Sequence, residues 1–408
     1  MQANTKDNDM ATVTTKKFFW MAALATGMLV TGAMTTSCSK DNDNSADKPD
    51  EPVVINPPVN NTVDLSKLTK DYTAQDGNVL TGTLSKDCKV SIEAGATVTL
   101  SGVSINADVR VDGYCAGITC LGDATIILAD GTTNTVKSLE SRFYPCIQAG
   151  PEGTTLTIRG TGKLIANHSQ SSGSAVIGGG YYYSCGNIRI EGGEITVTGQ
   201  GDGAGIGSGS GHQCGNISIT GGTITAKGGD AGIGCGFSAT CGDITITGGT
   251  VYAQGGADAA GIGSGSVYRY KSKCGNISIT GGTVTATGGN NAAGIGCGHG
   301  ESDIPSSSGN ITISWSKDFV SVKAVKGSGA LRPIGLSRSG LFYNSCGPIT
   351  FGGKTIYKVE YGEESTYRNI DDGTEYDHLR LSISTTKPEN ANSYDNSYND
   401  NTWTLTPL

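Results

Sequence analysis

The residues best suited to chemistry in this chain are aromatic, and they recur at one place in a repeat. Aromatics make up only 6% of the 408 residues, so a concentration of them carries information. Six variable stretches hold most of the candidates. They are Tyr181-Tyr182-Tyr183-Ser184, Ser210 to Gln213 with His212, Phe237 to Thr240, Ser266 to Lys273, His299 to Ser307, and Leu336 to Ser345. The fourth carries Tyr268, Arg269 and Tyr270, and the last carries Phe342 and Tyr343. Rings interleaved with Arg and His suit sugars, whose C–H faces pack on π systems while their hydroxyls take hydrogen bonds. The same rings could instead simply cover an edge of the fold.

A second set is acidic. Asp202, Asp230 and Asp258, followed by Asn291, each stand just before a recurring A-x-I-G. Carboxylates repeated at that interval repel unless a cation or water intervenes, and oxygen ligands of this kind suit Ca²⁺. Asp and Asn are also ordinary turn residues. The expected place of this row is the end of each repeat opposite the aromatic stretches.

The twelve cysteines do not form a local metal motif. Cys185, Cys214, Cys241 and Cys274 recur in one column, and Cys235 and Cys297 alternate with Ser208 and Ser264 in another. Equivalent residues in successive repeats point in parallel, a poor disulfide geometry. Without C-x2-C spacing the expectation is small buried side chains rather than ligands. None of His168, His212, His299 and His378 stands beside a Cys at a recognisable spacing. No cofactor is required by any motif.

The elements that must position these groups are short and periodic. A-x-I-G begins at Ala175, Ala204, Ala231, Ala260 and Ala293, at spacings of 29, 27, 29 and 33 residues. A second pattern, C-G-[ND]-I-x-I-x-G-G, begins at Cys185, Cys214, Cys241 and Cys274 and recurs in weakened form at Ser308 and Cys346. After each Gly pair comes an alternating segment such as Thr223-Ile-Thr-Ala. Period-2 alternation over three to five residues, broken by Gly, describes a strand and a corner. Three such segments per repeat describe one coil of an all-β, right-handed parallel β-helix. The register from about residue 79 to 357 gives about nine or ten turns, spaced ~4.8 Å apart. Alternating Ile, Val and Ala form the inner columns, and the column Asn187, Asn216, Asp243, Asn276, Asn310 suits a ladder of stacked side chains. One coil cannot bury its own core, so stability comes from stacking, and the exposed ends need caps. Residues 63–78 and 358–408 are the cap candidates. A propeller blade would need about forty residues.

The N-terminus is an address. Lys16 and Lys17 precede the apolar run Phe18 to Met34, which ends in Thr35-Thr36-Ser37-Cys38. This resembles the leader of a Bacteroidota lipoprotein, with Thr35 standing where Leu is usual. Residues 1–37 are then a signal peptide and Cys38 the lipidated N-terminus, anchored to the outer membrane. Residues 38–62, rich in Asp, Asn and Pro, read as a tether. Lys40-Asp41-Asn42-Asp43 resembles the export signal that places such lipoproteins on the cell surface. The folded part spans 63–357, followed by the extension 358–408. The net charge of −8 and the lack of a dense basic stretch in the folded part argue against nucleic acid.

A wider resemblance rests on Val98-Thr-Leu-Ser-Gly-Val-Ser-Ile105, Ala116-Gly-Ile-Thr and Ile126-Ile-Leu-Ala-Asp-Gly-Thr-Thr-Asn-Thr-Val136, with the A-G-I-G-x-G and C-G-N-I-x-I-x-G-G repeats. These are similar to bacterial carbohydrate-binding β-helix proteins related in fold to polysaccharide lyases. The resemblance covers most of residues 79–357. It implies binding of cellulose or acidic sugars, with or without Ca²⁺, and fixes no ligand residue. Three functions follow as expectations. The first is a non-catalytic surface lipoprotein that binds polysaccharide through the aromatic edge. The second is a lyase or glycoside hydrolase on the same scaffold. The third is an adhesin or structural protein with a protein partner.

Overall fold

The computed structural model describes residues 61–84, 88–106, 116–138, 143–168, 172–268, 270–301, 304–314, 319–337, 344–347, 349–351, 354–357 and 402–405. Cys38, Arg269, Phe342 and Tyr343 lie outside the described residues.

The chain winds into a right-handed parallel β-helix. Its strands form three sheets, of 20, 10 and 5 strands. The ten-stranded sheet takes one short strand from each successive turn, from Tyr72–Ala74 to Ile334–Gly335. Five of the later turns then pass through a short corner strand such as Thr240–Cys241 before the two strands of the long sheet. Those two meet at the Gly pair.

The reason lies in the alternation. In Ile217–Ile219 and Thr223–Lys227 the inward residues are buried and the outward ones are not. Stacking is in register, so Ile188, Ile217, Ile244, Ile277, Ile311 and Ile349 form one continuous interior column. A buried Ile contributes roughly 1.5–3 kcal/mol, several-fold more than an exposed Thr–Thr pair on the outer face. The inner columns therefore set the register.

The Asn column works differently from the ladder expected. Each side-chain oxygen accepts from the backbone N–H one turn on, and one direct side-chain rung, Asn276 Nδ2 donating to Asp243 Oδ1 at 3.2 Å, joins them. Asn187 Oδ1 accepts from the Asn216 N–H at 2.8 Å, Asn216 Oδ1 from Asp243 at 2.8 Å, and Asp243 Oδ1 from Asn276 at 2.7 Å. The corner peptides have no strand partner there, so the side chain supplies the missing acceptor. Asp71, Asp76 and Asp123 serve Lys89, Thr97 and Thr155 in the same way upstream. Asn134 is fully buried; its Oδ1 accepts from the Gly102 and Val103 N–H groups, and its Nδ2 donates to the Lys163 carbonyl. It therefore ties three successive turns together.

The N-terminal end is not a separate cap, and of the expected C-terminal cap 358–408 only 402–405 is among the described residues. Thr62–Asp64 and Tyr72–Ala74 pair in parallel with the next turn and so form the first coil themselves. The 3₁₀ turn Leu65–Lys67 lays the fully buried Leu65 over the core. At the other end the parallel pattern stops. Thr402–Leu405 pairs antiparallel with Val322–Val325, and Lys354–Tyr357 antiparallel with Ile349–Phe351. Antiparallel strands occupy edges that another chain would otherwise extend.

Candidate functional site

The edge that carries the variable loops is built by a tight bend. In each A-x-I-G-x segment the Ala N–H donates to the carbonyl four residues on: Ala204 to Ser208 at 3.1 Å, Ala231 to Cys235 at 3.4 Å, Ala260 to Ser264 at 3.2 Å. The two ends of the segment are thereby drawn together. This corrects the expected placement of the acidic row. Asp202, Asp230 and Asp258 do not lie at the far end of each turn but against the loops of the turn that follows. The Asp202 carbonyl accepts from the Phe237 N–H at 2.8 Å, and the Asp258 carbonyl from the His299 N–H at 2.6 Å. Asp230 Oδ1 accepts from the Ser266 N–H at 3.0 Å and from the Ser266 hydroxyl at 3.1 Å. The loops also hold one another. Gly211 donates to Phe237 and Ser238 to Ser266 through the backbone, and the Tyr268 N–H donates to the Ser238 hydroxyl.

The carboxylates of this row do not form a convergent group. Among the described residues, one set of three metal-ligating side chains has its ligand atoms mutually within 4.8 Å, and it is Cys235, Cys241 and Cys274. The outer carboxylates find other partners, as where Asp258 Oδ1 accepts from Asn291 Nδ2 at 2.7 Å. Burial raises the pKa of Asp202 and, more strongly, that of Asp230, which also feels the charges of Asp202 and Asp258. Asp230 Oδ2 is buried with no hydrogen-bond partner among the described residues.

That geometry gives a testable consequence. With its folded pKa above its unfolded one, Asp230 costs nothing at low pH. It destabilises the fold progressively as pH rises above the ordinary carboxylate range. Asp230→Asn keeps the acceptor for Ser266 and removes the buried charge that Asp202 and Asp258 repel. We expect it to stabilise the protein at pH 7–8 by about 1–3 kcal/mol, because a buried carboxylate is desolvated and repelled there, and to have little effect near pH 3. Urea midpoints at the two pH values check this. Equal destabilisation at both would show that Asp230 is wanted as a carboxylate.

The aromatic residues fall into two groups. The first spans two turns. The Phe143 ring lies 5.7 Å from Tyr181 and 5.2 Å from Tyr182, Tyr181 meets Tyr182 edge-on at 4.6 Å, and Tyr144 lies 5.7 Å from Tyr183. The Tyr181 N–H donates to the Phe143 carbonyl at 3.0 Å and fixes one loop on the other. Gly173 makes this possible, since a Cβ there would collide with the Tyr181 ring. Tyr182 and Tyr183 remain 58% and 45% exposed, so the cluster presents ring surface to solvent from a rigid base. Phe143 and Tyr144 were not among the sequence candidates. The signal was Phe-Tyr placed just before Cys146, in a turn that lacks A-x-I-G.

The second group lies further along the edge. Tyr268 and Tyr270 are 54% and 72% exposed, while His212, Phe237 and His299 are half-buried. All sit on the same row of loops.

Around the corner, the outer face of the long sheet forms an open trough of about 400 Å³ lined by Thr125, Thr155, Thr157, Arg159, Arg189 and Glu191. Arg189 Nε donates to Glu191 Oε1 at 2.6 Å. Adjacent turns place Thr157 beside Arg189, so hydroxyl and guanidinium groups alternate there. Burial pushes the Cys120 and Cys146 thiols up to about 12, so neither is activated as a thiolate.

Four segments of the chain, residues 188–210, 217–237, 244–266 and 277–299, match a family model described as a beta helix repeat. No curated protein and no solved structure is significantly similar to the chain. Each matched segment opens on an inward Ile of the long sheet and closes in the variable loop. The matched repeats lie within the parallel β-helix and agree with its architecture.

Proposed function

We propose that this protein is a surface lipoprotein of the outer membrane, anchored through Cys38, and that it binds polysaccharide without cleaving it. The observation that carries the reading is the cluster of Phe143, Tyr144, Tyr181, Tyr182 and Tyr183 on two adjacent turns. Rings used only to cover an edge would lie flat and buried. Here Tyr182 and Tyr183 keep about half of their surface exposed, while hydrogen bonds and ring contacts beneath hold them in place. Such pre-ordered apolar faces with hydroxyls at their rims match the two faces of a sugar ring at little entropic cost. The polar trough of Thr, Arg and Glu lies on the same stretch of turns and offers donors and acceptors to further hydroxyls.

The test is binding to a panel of polysaccharides, followed by the double substitution Tyr182→Ala and Tyr183→Ala. A loss of tenfold or more, about 1.4 kcal/mol, is expected for the glycan that binds. Retention of full affinity would remove the aromatic cluster from the site. Release of unsaturated ends or reducing sugar from any bound polymer would replace the non-catalytic reading with the lyase or hydrolase one.

A further inference from the structure

The interior carries one arrangement that carbohydrate binding does not use. Cys235 follows the strand Ile233–Gly234 of the ten-stranded sheet and Cys241 ends the next strand round the corner, Thr240–Cys241, with Cα atoms 5.4 Å apart and a disulfide between them. One turn on, Cys274 stacks directly on Cys241 in parallel register. The three sulfurs lie within 4.8 Å of one another and all three residues are buried.

The neighbouring turns do not repeat this. The position of Cys235 is Ser208 one turn earlier and Ser264 one turn later. The Cys241 column continues from Cys274 to Ser308, which then pairs with Cys346. Cys235 and Cys241 are thus the one turn of this series with a thiol in both columns. A third sulfur lies directly above.

We propose that Cys235, Cys241 and Cys274 form a redox-gated site for a thiophilic monovalent cation of the Cu(I) type. A three-coordinate ion with metal–sulfur bonds of roughly 2.3 Å needs sulfurs about 4 Å apart. The sulfurs lie within 4.8 Å of one another, so opening the Cys235–Cys241 bond leaves that triangle within reach of all three. Zinc asks for four ligands, and among the described residues no fourth Cys, His, Asp or Glu joins this group. Three soft sulfurs in a dry corner fit the low coordination number of Cu(I) better. In the oxidised protein the Cys235–Cys241 bond removes two of the ligands and the site is closed. A dithiol reductant opens it: the disulfide takes up two electrons and two protons, and the reductant becomes its own disulfide. Each thiol that then ligates the ion releases its proton to solvent. Because the cluster is buried, loading accompanies folding.

The fold itself supplies the substitutions for a test. Serine already occupies both columns, at Ser264 and Ser308, so Cys235→Ser and Cys274→Ser are compatible with the turn. The full chain is refolded under a dithiol reductant with Cu(I) held by a chelating buffer. Copper per chain is then measured after removal of the free ion, with circular dichroism as the check on folding. Wild type is expected to retain about one copper, and Cys274→Ser and Cys235→Ser to retain at least tenfold less. Wild type refolded under oxidising conditions, with the disulfide verified by thiol counting, is expected to retain equally little. Cys185→Ser, which alters the separate Cys185–Cys214 stack, is expected to bind as wild type. No copper in the reduced wild type would overturn the proposal. So would full retention by Cys274→Ser, or loss in Cys185→Ser alone. None of these outcomes depends on whether the aromatic edge binds sugar.

Discussion

Gly234→Ala is expected to disrupt the solenoid at its middle, at a cost of roughly 3 kcal/mol or more. Gly234 has φ +134, a conformation that an L side chain rarely adopts. A Cβ there would also collide with the backbone carbonyl of Gly263 on the next turn. The obstacle is main chain, so no side chain can swing aside. Gly207 and Gly263 sit in the same state above and below, with φ +141 and +138, and Gly207 pairs directly with Gly234. Displacing one of these strands therefore breaks the register of the ten-stranded sheet in both directions. In a stack stabilised by nearest neighbours, an interior break separates the structure into two weaker halves. Gly211→Ala is the control. Its φ is also positive, at +72, but nothing lies within 4 Å of a Cβ, so about 1 kcal/mol of backbone strain is all that is expected. Urea unfolding of the two variants separates steric collision from conformational preference. If Gly234→Ala proved no worse than Gly211→Ala, the close packing of turns at this column would be wrong.

Acidification from pH 7 to pH 4 is expected to cost the folded state about 3 kcal/mol through His168 alone. The side chain points inward at the end of Lys163–His168 and is 2% exposed. Neither ring nitrogen has a hydrogen-bond partner among the described residues. Burial lowers its pKa to about 4 from an ordinary 6.5. The unfolded chain therefore takes up a proton in this window and the folded chain does not. The contribution is complete above pH 6.5 and is lost as pH falls toward 4. His168→Leu removes the titrating group while filling the space. The variant should lose markedly less stability than wild type between pH 7 and pH 4. An identical pH dependence in the two proteins would mean that the imidazole finds a partner or water when charged. The Asp230 effect runs in the opposite direction, so comparing each variant with wild type keeps the two apart.

The coils were plain in the sequence because Ile recurs at fixed positions and Gly marks the corners. What each column does was less plain. The Asn column was recognisable from its spacing, yet most of its hydrogen bonds run to backbone N–H groups, which carry no sequence signature. The acidic row was misplaced because A-x-I-G-x looks like an extended strand end. Glycines at φ above +120 instead fold it into a bend that returns to its start. Phe143 and Tyr144 were missed since their turn has lost the A-x-I-G marker, although Cys146 and Ile147 hold the register. The sulfur cluster joins residues that are 6 and 33 apart in the chain, so no local ligand motif announces it. Only the stacking of turns brings them together.

The central claim concerns a rigid two-turn aromatic cluster rather than scattered edge aromatics. It is tested most directly by titrating the bound polysaccharide into two double variants of equal aromatic loss. One is Tyr182→Ala with Tyr183→Ala, and the other is Tyr268→Ala with Tyr270→Ala. At least a tenfold loss of affinity is expected in the first and less than a threefold change in the second. Unchanged binding in the first, or a larger loss in the second, would contradict it.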